Sequence, residues 1–215
     1  MPAPQSGQVK SPADGFLKAG SLLGDDIPGL SQALADTLAQ ALTLFLSMGM
    51  VLPGSPVAAD PITGSGAVAG PGRLMPPPAG GPDASQLEGL ANGFLMAQGI
   101  RGEDAGGLAK VIAGTAAQAI QLFAAQSMTM PGIAVAGFVT AAPGMLLPVP
   151  LAGMLQPMAD GLCQQNGLRG EDAPGLAGAI ARAVDIALMM FAGQVTVLPG
   201  IPAPPGSTAG PGRLM

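Results

Sequence analysis

The stretch that decides the fold is residues 176–200, LAGAIARAVDIALMMFAGQVTVLPG, an apolar run that ends in Leu-Pro-Gly. Two similar stretches precede it: residues 30–54, LSQALADTLAQALTLFLSMGMVLPG, and residues 108–132, LAKVIAGTAAQAIQLFAAQSMTMPG. Internal similarity of this kind indicates one supersecondary unit that is used repeatedly, because a single unit cannot bury its own apolar face. We therefore expect the chain to be built from three tandem units.

Each of the three stretches carries its large apolar residues at a helical spacing. Residues four, four, four and three positions apart fall on one stripe of an α-helix, which is the face that packs into a core. The closing Pro-Gly ends the helix, since proline lacks a donor and restricts the residue before it. The predicted packing stripe comprises Leu30, Leu34, Leu38, Leu42 and Phe45, then Leu108, Ile112, Ile120 and Phe123, then Leu176, Ile180, Val184, Leu188 and Phe191.

Acidic pairs stand just before each long helix. A carboxylate there can accept hydrogen bonds from free helix amides and interacts favourably with the positive end of the helix dipole. A cation site is disfavoured, since the alternating oxygen ligands of an EF-hand loop are missing. We expect Arg101 and Arg169 to form local ion pairs with these acids. The predicted helix-capping residues are Asp25, Asp26, Glu103, Asp104, Glu171 and Asp172.

A shorter helical segment precedes each long helix, the first of them running through Leu23. We predict a mainly α fold of three helix-turn-helix modules, each of about 70 residues, packed with approximate threefold pseudo-symmetry. Each module ends in an extended Pro/Gly-rich arm, in which short strands are possible. The predicted boundaries are residues 1–10 for an extended N-terminal lead, 11–75 for the first module with its arm, 76–147 for the second and 148–215 for the third.

The composition excludes some classes of function. Charged residues are only 10% of the chain and the net charge is −5, whereas nucleic-acid binding needs clustered Lys and Arg. About a quarter of an ordinary soluble domain is charged. So little charge indicates that much of the surface is covered by something else.

Catalysis is also disfavoured by the residue types present. The chain has no His or Tyr and one cysteine, Cys163, so the usual acid, base and nucleophile sets cannot be assembled. We expect no catalytic residue, no cofactor and no metal, and we expect Cys163 to be an inert buried thiol. The N-terminal residues lack the features of a secretory signal, so we expect synthesis in a reducing cytoplasm and then incorporation into a virion or large particle.

Methionines gather near the C-terminal ends of the three long helices, where flexible thioethers suit either core filling or adaptable contact surfaces. The arms are apolar and rich in proline, so they lose little entropy when they dock on another chain. The candidate partner contacts are Met48, Met50, Met128, Met130, Met189, Met190, Arg73, Leu74 and Leu214.

These features favour a structural, non-catalytic subunit of a large symmetric assembly, with a phage virion or phage-tail-like particle as the leading interpretation. Its partners are then other protein subunits, of the same or another kind, held through the extended arms. The alternative is a membrane-associated or membrane-active protein that uses the three apolar helices, although charged residues such as Asp36 and Lys110 interrupt the longer apolar windows. A further alternative is a scaffold or adaptor that binds a helical partner through the Met-rich ends.

Overall fold

The fold is mainly helical, as the sequence predicts. The computed structural model describes residues 3–22, 24–77 and 81–215, and these ranges contain six α-helices and nine short strands. A helix of 14 residues precedes a helix of 22 residues three times along the chain. The helices are α1 Ser6–Ala19, α2 Ile27–Met48, α3 Ala84–Ala97, α4 Ala105–Gln126, α5 Ala152–Gln165 and α6 Ala173–Gln194.

The first helix begins earlier than expected. Residues 1–10 were predicted to be an extended lead, but α1 begins at Ser6 and continues through Pro12. The Gln8 side chain accepts a hydrogen bond of 3.0 Å from the Gln5 amide and so stabilises the helix start. Proline is a strong breaker from sequence alone, yet packing of the helix overrides the missing donor. Residues 1 and 2 of the lead and Leu23, the predicted end of the first short helical segment, lie outside the described residues.

The six helices pack together, with the three long helices in the centre and the three short helices around them. We call this helical layer the ring. The long helices α2, α4 and α6 contact one another, and each short helix packs on the long helix that follows it. Each short helix also packs on a second long helix: α1 on α6, α3 on α2 and α5 on α4. The chain therefore returns to its beginning, because the first helix contacts the last.

An aromatic cluster closes the centre of the ring. The rings of Phe45, Phe123 and Phe191 are fully buried, with centroids 5.4 to 6.2 Å apart. Most of the predicted packing stripe is buried in the same hydrophobic core as this cluster, while Leu108 and Leu176 are half-buried against that core. Alanines fill the space between the large side chains, so the helices approach closely.

Glycines allow the closest approach between neighbouring helix ends. Gly20 at the end of α1 lies directly against Gly175 at the start of α6. A Cβ on Gly107 of α4 would come 2.7 Å from the Asn166 carbonyl oxygen after α5, and one on Gly29 of α2 would come 3.3 Å from the Gln98 oxygen after α3. Helices of the ring therefore meet at three close backbone contacts, which we call seams. The seam between Gly20 and Gly175 is the tightest.

The segments after the long helices form the second layer of the molecule. We call residues 49–75, 127–147 and 195–215 arms 1, 2 and 3, and together the β cap. All strand pairs are antiparallel. The strands are β1 Met50–Val51, β2 Pro56–Ala59, β3 Gly66–Val68, β4 Ala134–Ala136, β5 Val139–Thr140, β6 Gly144–Met145, β7 Thr196–Val197, β8 Gly206–Ser207 and β9 Gly212–Arg213.

The three arms pair with one another within the chain. The largest sheet has the order β5-β4-β3-β2-β8 and takes strands from all three arms. Strand β1 of arm 1 pairs with β9 of arm 3, and β6 of arm 2 pairs with β7 of arm 3. The arms were expected to lie across a neighbouring chain, but much of their backbone hydrogen bonding is made inside this one.

Candidate interaction surfaces

The acidic pairs before the long helices do not cap them in the predicted way. Asp26, Asp104 and Asp172 occupy the N-cap positions, but their backbone is in the right-handed helical region and their side chains make no capping hydrogen bond. An N-cap side chain normally reaches the helix amides from an extended backbone. Asp25, Glu103 and Glu171 are exposed one residue earlier. The capping prediction is therefore wrong in its geometry, although the favourable charge at the helix start remains.

Backbone turns hold these helix starts instead. The amides of Ile27, Ala105 and Ala173 donate to the carbonyl oxygens three residues earlier, at 3.1 to 3.3 Å. In the described part of the chain the one ion pair is Lys18 with Asp14, so the expected pairs of Arg101 and Arg169 are not formed.

Two carboxylates that the sequence analysis did not select stabilise the short helices. Asp83 accepts a hydrogen bond of 2.8 Å from the Gln86 amide at the start of α3, and its spacing to Gln86 is a capping-box signal that was available in the sequence. Asp185, buried in α6, accepts one of 2.6 Å from the Leu151 amide before α5. That second contact joins distant parts of the chain and has no local signal.

No constellation for catalysis or metal binding emerges from the described ranges. Within residues 3–22, 24–77 and 81–215, no three His, Cys, Asp or Glu side chains are placed to hold a metal ion. Cys163 is buried, and its burial raises the pKa of its thiol. The negative charge of the nearby Asp160 carboxylate raises this pKa further, by a smaller amount. A protonated buried thiol is a poor nucleophile.

The candidate partner contacts divide into exposed and buried residues. Met130 and Met189 are exposed, and Met48, Met50, Met128 and Met190 are half-buried. Arg73 is exposed and pairs through its backbone with Met128 of arm 2. Leu74 and Leu214 were expected to offer contacts, but both are buried in the core because their backbones pair with Val51 and Val197. Leu74 is therefore not available to a partner, and Leu214 offers one only the small part of its side chain that lines the groove described below.

Exposed apolar side chains form a belt where the helices meet the β cap. Arm pairing brings several of them together: the Met130 amide donates to the Met145 oxygen at 2.8 Å, and the Leu198 amide donates to the Arg213 oxygen at 2.9 Å. Sequence reasoning found two members and missed the rest, since the pairing of the arms decides which side chains face outward. We call this set the Met/Leu belt; it comprises Met130, Met145, Leu147, Met189, Leu198 and Met215, each at least 36% exposed.

An open groove lies beside the belt at the end of α2. Its volume is about 920 Å³, and Met48, Met50, Leu198 and Met215 are among its lining residues. The lining is largely apolar, with the exposed Arg213 as its charged member. This groove brings two of the predicted methionines together with the end of arm 3.

The far surface of the β cap is almost free of charge. Residues 52–72, 131–144 and 198–212 contain one charged residue, Asp60. Its carboxylate accepts hydrogen bonds of 2.8 Å from the Ile62 and Thr63 amides. Both hydrogen bonds stabilise the charged carboxylate and lower the pKa of Asp60, the bond from Thr63 more than the bond from Ile62. The Asp60 carboxylate is therefore ionised at neutral pH.

Large apolar residues project from the turns of this uncharged surface. Ile62, in the turn between β2 and β3, is 88% exposed. Phe138 and Val139, at the turn between β4 and β5, are 37% and 40% exposed. The Phe138 amide donates to the Gly64 oxygen at 3.2 Å, so the two turns meet. We call Ile62, Phe138 and Val139 the apolar tip; the sequence analysis did not select them.

Comparison of the chain with protein-family models, with curated proteins and with solved structures finds no match.

Proposed function

We propose that this chain is a non-catalytic structural subunit of a large symmetric assembly, such as a phage virion or a phage-tail-like particle. The Met/Leu belt carries the proposal. Monomeric soluble proteins rarely expose large contiguous apolar patches, and methionine is enriched in protein interfaces. The exposed thioether and leucine side chains of the belt, which come from α6 and from arms 2 and 3, are the kind of surface that a neighbouring subunit covers.

The organisation of the chain supports the same proposal. We infer that the chain consists of three modules with approximate threefold pseudo-symmetry, with boundaries after residues 75 and 147 and with α1 inside the first module. In favour of this are the repeated helix lengths, the three seams at Gly29, Gly107 and Gly175, and the cluster of one phenylalanine from each long helix. Three similar faces on one chain suit a threefold or sixfold partner surface, which they would meet quasi-equivalently.

The proposed mode of contact differs from the one that the sequence favours. The arms form hydrogen bonds with one another, so neighbours would be held by side chains of the belt rather than by donated arms. Binding through buried apolar side chains does not require charged groups. This agrees with the low content of charged residues in the chain, 10%.

The groove beside the belt supports a second candidate, an adaptor for one helical partner. An amphipathic helix can place its apolar face in a groove of this kind, and Met48 and Met50 supply adaptable contacts. Insertion of the apolar helices into a membrane has less support. Within the described residues, α4 and α6 are long and apolar enough to span one, but 56% and 67% of their most apolar windows are buried in the fold.

The experiment is a mass measurement on the purified full chain by light scattering. We expect a species well above the monomer mass of 20.9 kDa, and we expect the double variant Met130→Ser/Met189→Ser to shift it towards the monomer. Met96→Ser is the matched control, because Met96 is an exposed methionine on α3 outside the belt. A stable wild-type monomer, or an assembly that is unchanged by the double variant, would contradict the proposal.

A further inference from the structure

The apolar tip consists of residue types that the turns themselves disfavour. Gly137 and Phe138 both have positive φ, at 60° and 64°, as in a two-residue hairpin turn. The second position of such a turn favours glycine or asparagine, since a bulky side chain is strained in this region. The Phe138 ring packs against Gly64 of the neighbouring turn, and 37% of the residue remains exposed at the tip.

Burial in the β cap does not account for these side chains. The small core of the cap is made by Val57, Val68, Val135 and Ala203, and the tip residues are outside it. Ile62 is the most exposed of the large apolar side chains that the structure describes. Its turn also contains Asp60, Pro61, Thr63 and Gly64, which are ordinary turn residues. Ile62 is the one large apolar residue in this turn and is not a residue type that turns favour.

Four backbone amides of the tip already donate to internal acceptors. The Asp60 carboxylate accepts from two amides, the Gly64 amide donates to the Asp60 oxygen at 2.9 Å, and the Phe138 amide donates to the Gly64 oxygen. Polar groups that enter an apolar medium unpaired are costly. The tip can therefore leave water without exposing these amides to hydrocarbon.

The charge distribution selects the kind of surface that the tip meets. Protein interfaces usually have a polar rim, and charged groups across them fix orientation. Residues 52–72, 131–144 and 198–212 of the arms hold a single carboxylate and no cation, while acidic residues lie at the opposite ends of the long helices. A lipid surface needs only apolar area for binding, and the acidic end would keep the molecule upright by remaining in water.

We propose that the apolar tip inserts shallowly into the interfacial region of a lipid bilayer without requiring anionic lipid. Ile62 and Phe138 enter the acyl boundary, and the Asp60 carboxylate stays at the level of the headgroups and limits the depth. This function is separate from subunit assembly through the Met/Leu belt, and neither depends on the other. It also uses the turns of the β cap, whereas the apolar helices stay in the core.

The test is flotation of the full chain with phosphatidylcholine vesicles and with vesicles that also contain phosphatidylglycerol. We expect the wild-type chain to float with both, with little effect of salt, because no cation takes part. Ile62→Asp should lower the bound fraction by at least about tenfold, which corresponds to the lost transfer of one large aliphatic side chain. Phe138→Asn should lower it too, and asparagine tolerates the turn conformation.

Two controls separate this proposal from the assembly proposal. Met96→Asp places the same charge on exposed α3 and should leave flotation unchanged, and the belt variant Met130→Ser/Met189→Ser should also float. Absence of wild-type flotation, equal flotation of Ile62→Asp, or binding only to anionic vesicles would overturn the proposal. An Ile62→Asp variant that floats normally but loses assembly mass would show instead that the tip contacts protein.

Discussion

The helical ring and the β cap are stabilised by different interactions. The ring buries three phenylalanines and many leucines and alanines, whereas the core of the cap is three valines and one alanine with few neighbours. The cap is held by backbone hydrogen bonds between arms that are distant in sequence and by side chains such as Leu74 and Leu214, which are buried in the core of the ring. Because one hydrogen bond adds far less net stability than one buried aromatic side chain, the ring is expected to carry most of the free energy of unfolding.

Three buried threonines show how the cap compensates for its small core. The Thr208 hydroxyl oxygen accepts from the Gly54 and Ser55 amides at 3.0 Å and joins arms 3 and 1. Thr129 accepts from Gly72 at 2.7 Å and joins arms 2 and 1, while Thr140 accepts from Ile201 at 3.0 Å and joins arms 2 and 3. Each pair of arms therefore has a side-chain tether, and the uncharged surface depends on these polar contacts.

The largest effect is expected in the aromatic cluster. Phe191→Ala should lower the free energy of unfolding by about 3–5 kcal/mol, because it leaves a cavity between two other rings. Denaturant unfolding followed by circular dichroism measures it. Val135→Ala is the comparison in the cap, where a smaller side chain is lost from a smaller core. An equal or larger loss for Val135→Ala would contradict the division of stability between ring and cap.

The helix seams should give the next largest effect. Gly175→Ala places a methyl group against the backbone of Gly20 and should cost about 1–3 kcal/mol through overpacking. Gly107→Ala should be similar, and Gly29→Ala milder, since its new methyl group has more room. Gly161→Ala is the control, because nothing lies within 4 Å of that position and alanine favours α5 by up to about 1 kcal/mol. Equal effects at all four glycines would argue against backbone contact at the seams.

A smaller and local effect is expected at the tethers of the cap. Thr208→Val leaves the Ser55 amide without its acceptor, while the Gly54 amide keeps the Thr208 carbonyl oxygen at 2.9 Å, and the change should cost about 1–3 kcal/mol, felt mainly in the cap. Hydrogen exchange should speed up in β2 and β8 while the long helices keep their protection. Thr43→Val, at an exposed position on α2, is the control. Faster exchange throughout α2, α4 and α6 would mean that cap and ring unfold as one unit.

The smallest effect concerns the buried thiol. Because the pKa of Cys163 is raised in the folded chain, the unfolded chain releases this proton first as the pH rises. The thiol therefore costs no stability below the unfolded pKa and becomes unfavourable through the alkaline range towards the folded pKa. Unfolding experiments at about pH 7 and about pH 10 should show a greater alkaline loss for wild type than for Cys163→Ala. If the free energy of unfolding depends on pH in the same way for wild type and Cys163→Ala, the Cys163 thiol is exposed to water in the folded chain.

The sequence predicts the ring much better than the cap. The stripe from Leu30 to Phe45 and its two counterparts follow from helical periodicity, which is a local signal. Pairing between arms has no such signal, since most of the strands have two residues and cannot show an alternating pattern. For the same reason Leu74 and Leu214 were predicted to be free contacts, and Ile62 and Phe138 were not selected. The start of α1 was missed because the Pro and Gly content of residues 1–10 indicates an extended segment, whereas α1 begins at Ser6 and packs against α2 and α6.

The central claim is that the three arms form the β cap within one chain and thereby create the uncharged surface with its apolar tip. Hydrogen exchange of the arm amides across about a hundredfold dilution of the full chain tests it most directly. If the arms pair within the chain, the amides of Gly54, Gly72 and Ala203 stay protected to the same degree while any assembly dissociates. Loss of that protection on dilution, with α2, α4 and α6 still protected, would show that the arms are ordered by neighbouring chains and would contradict the account.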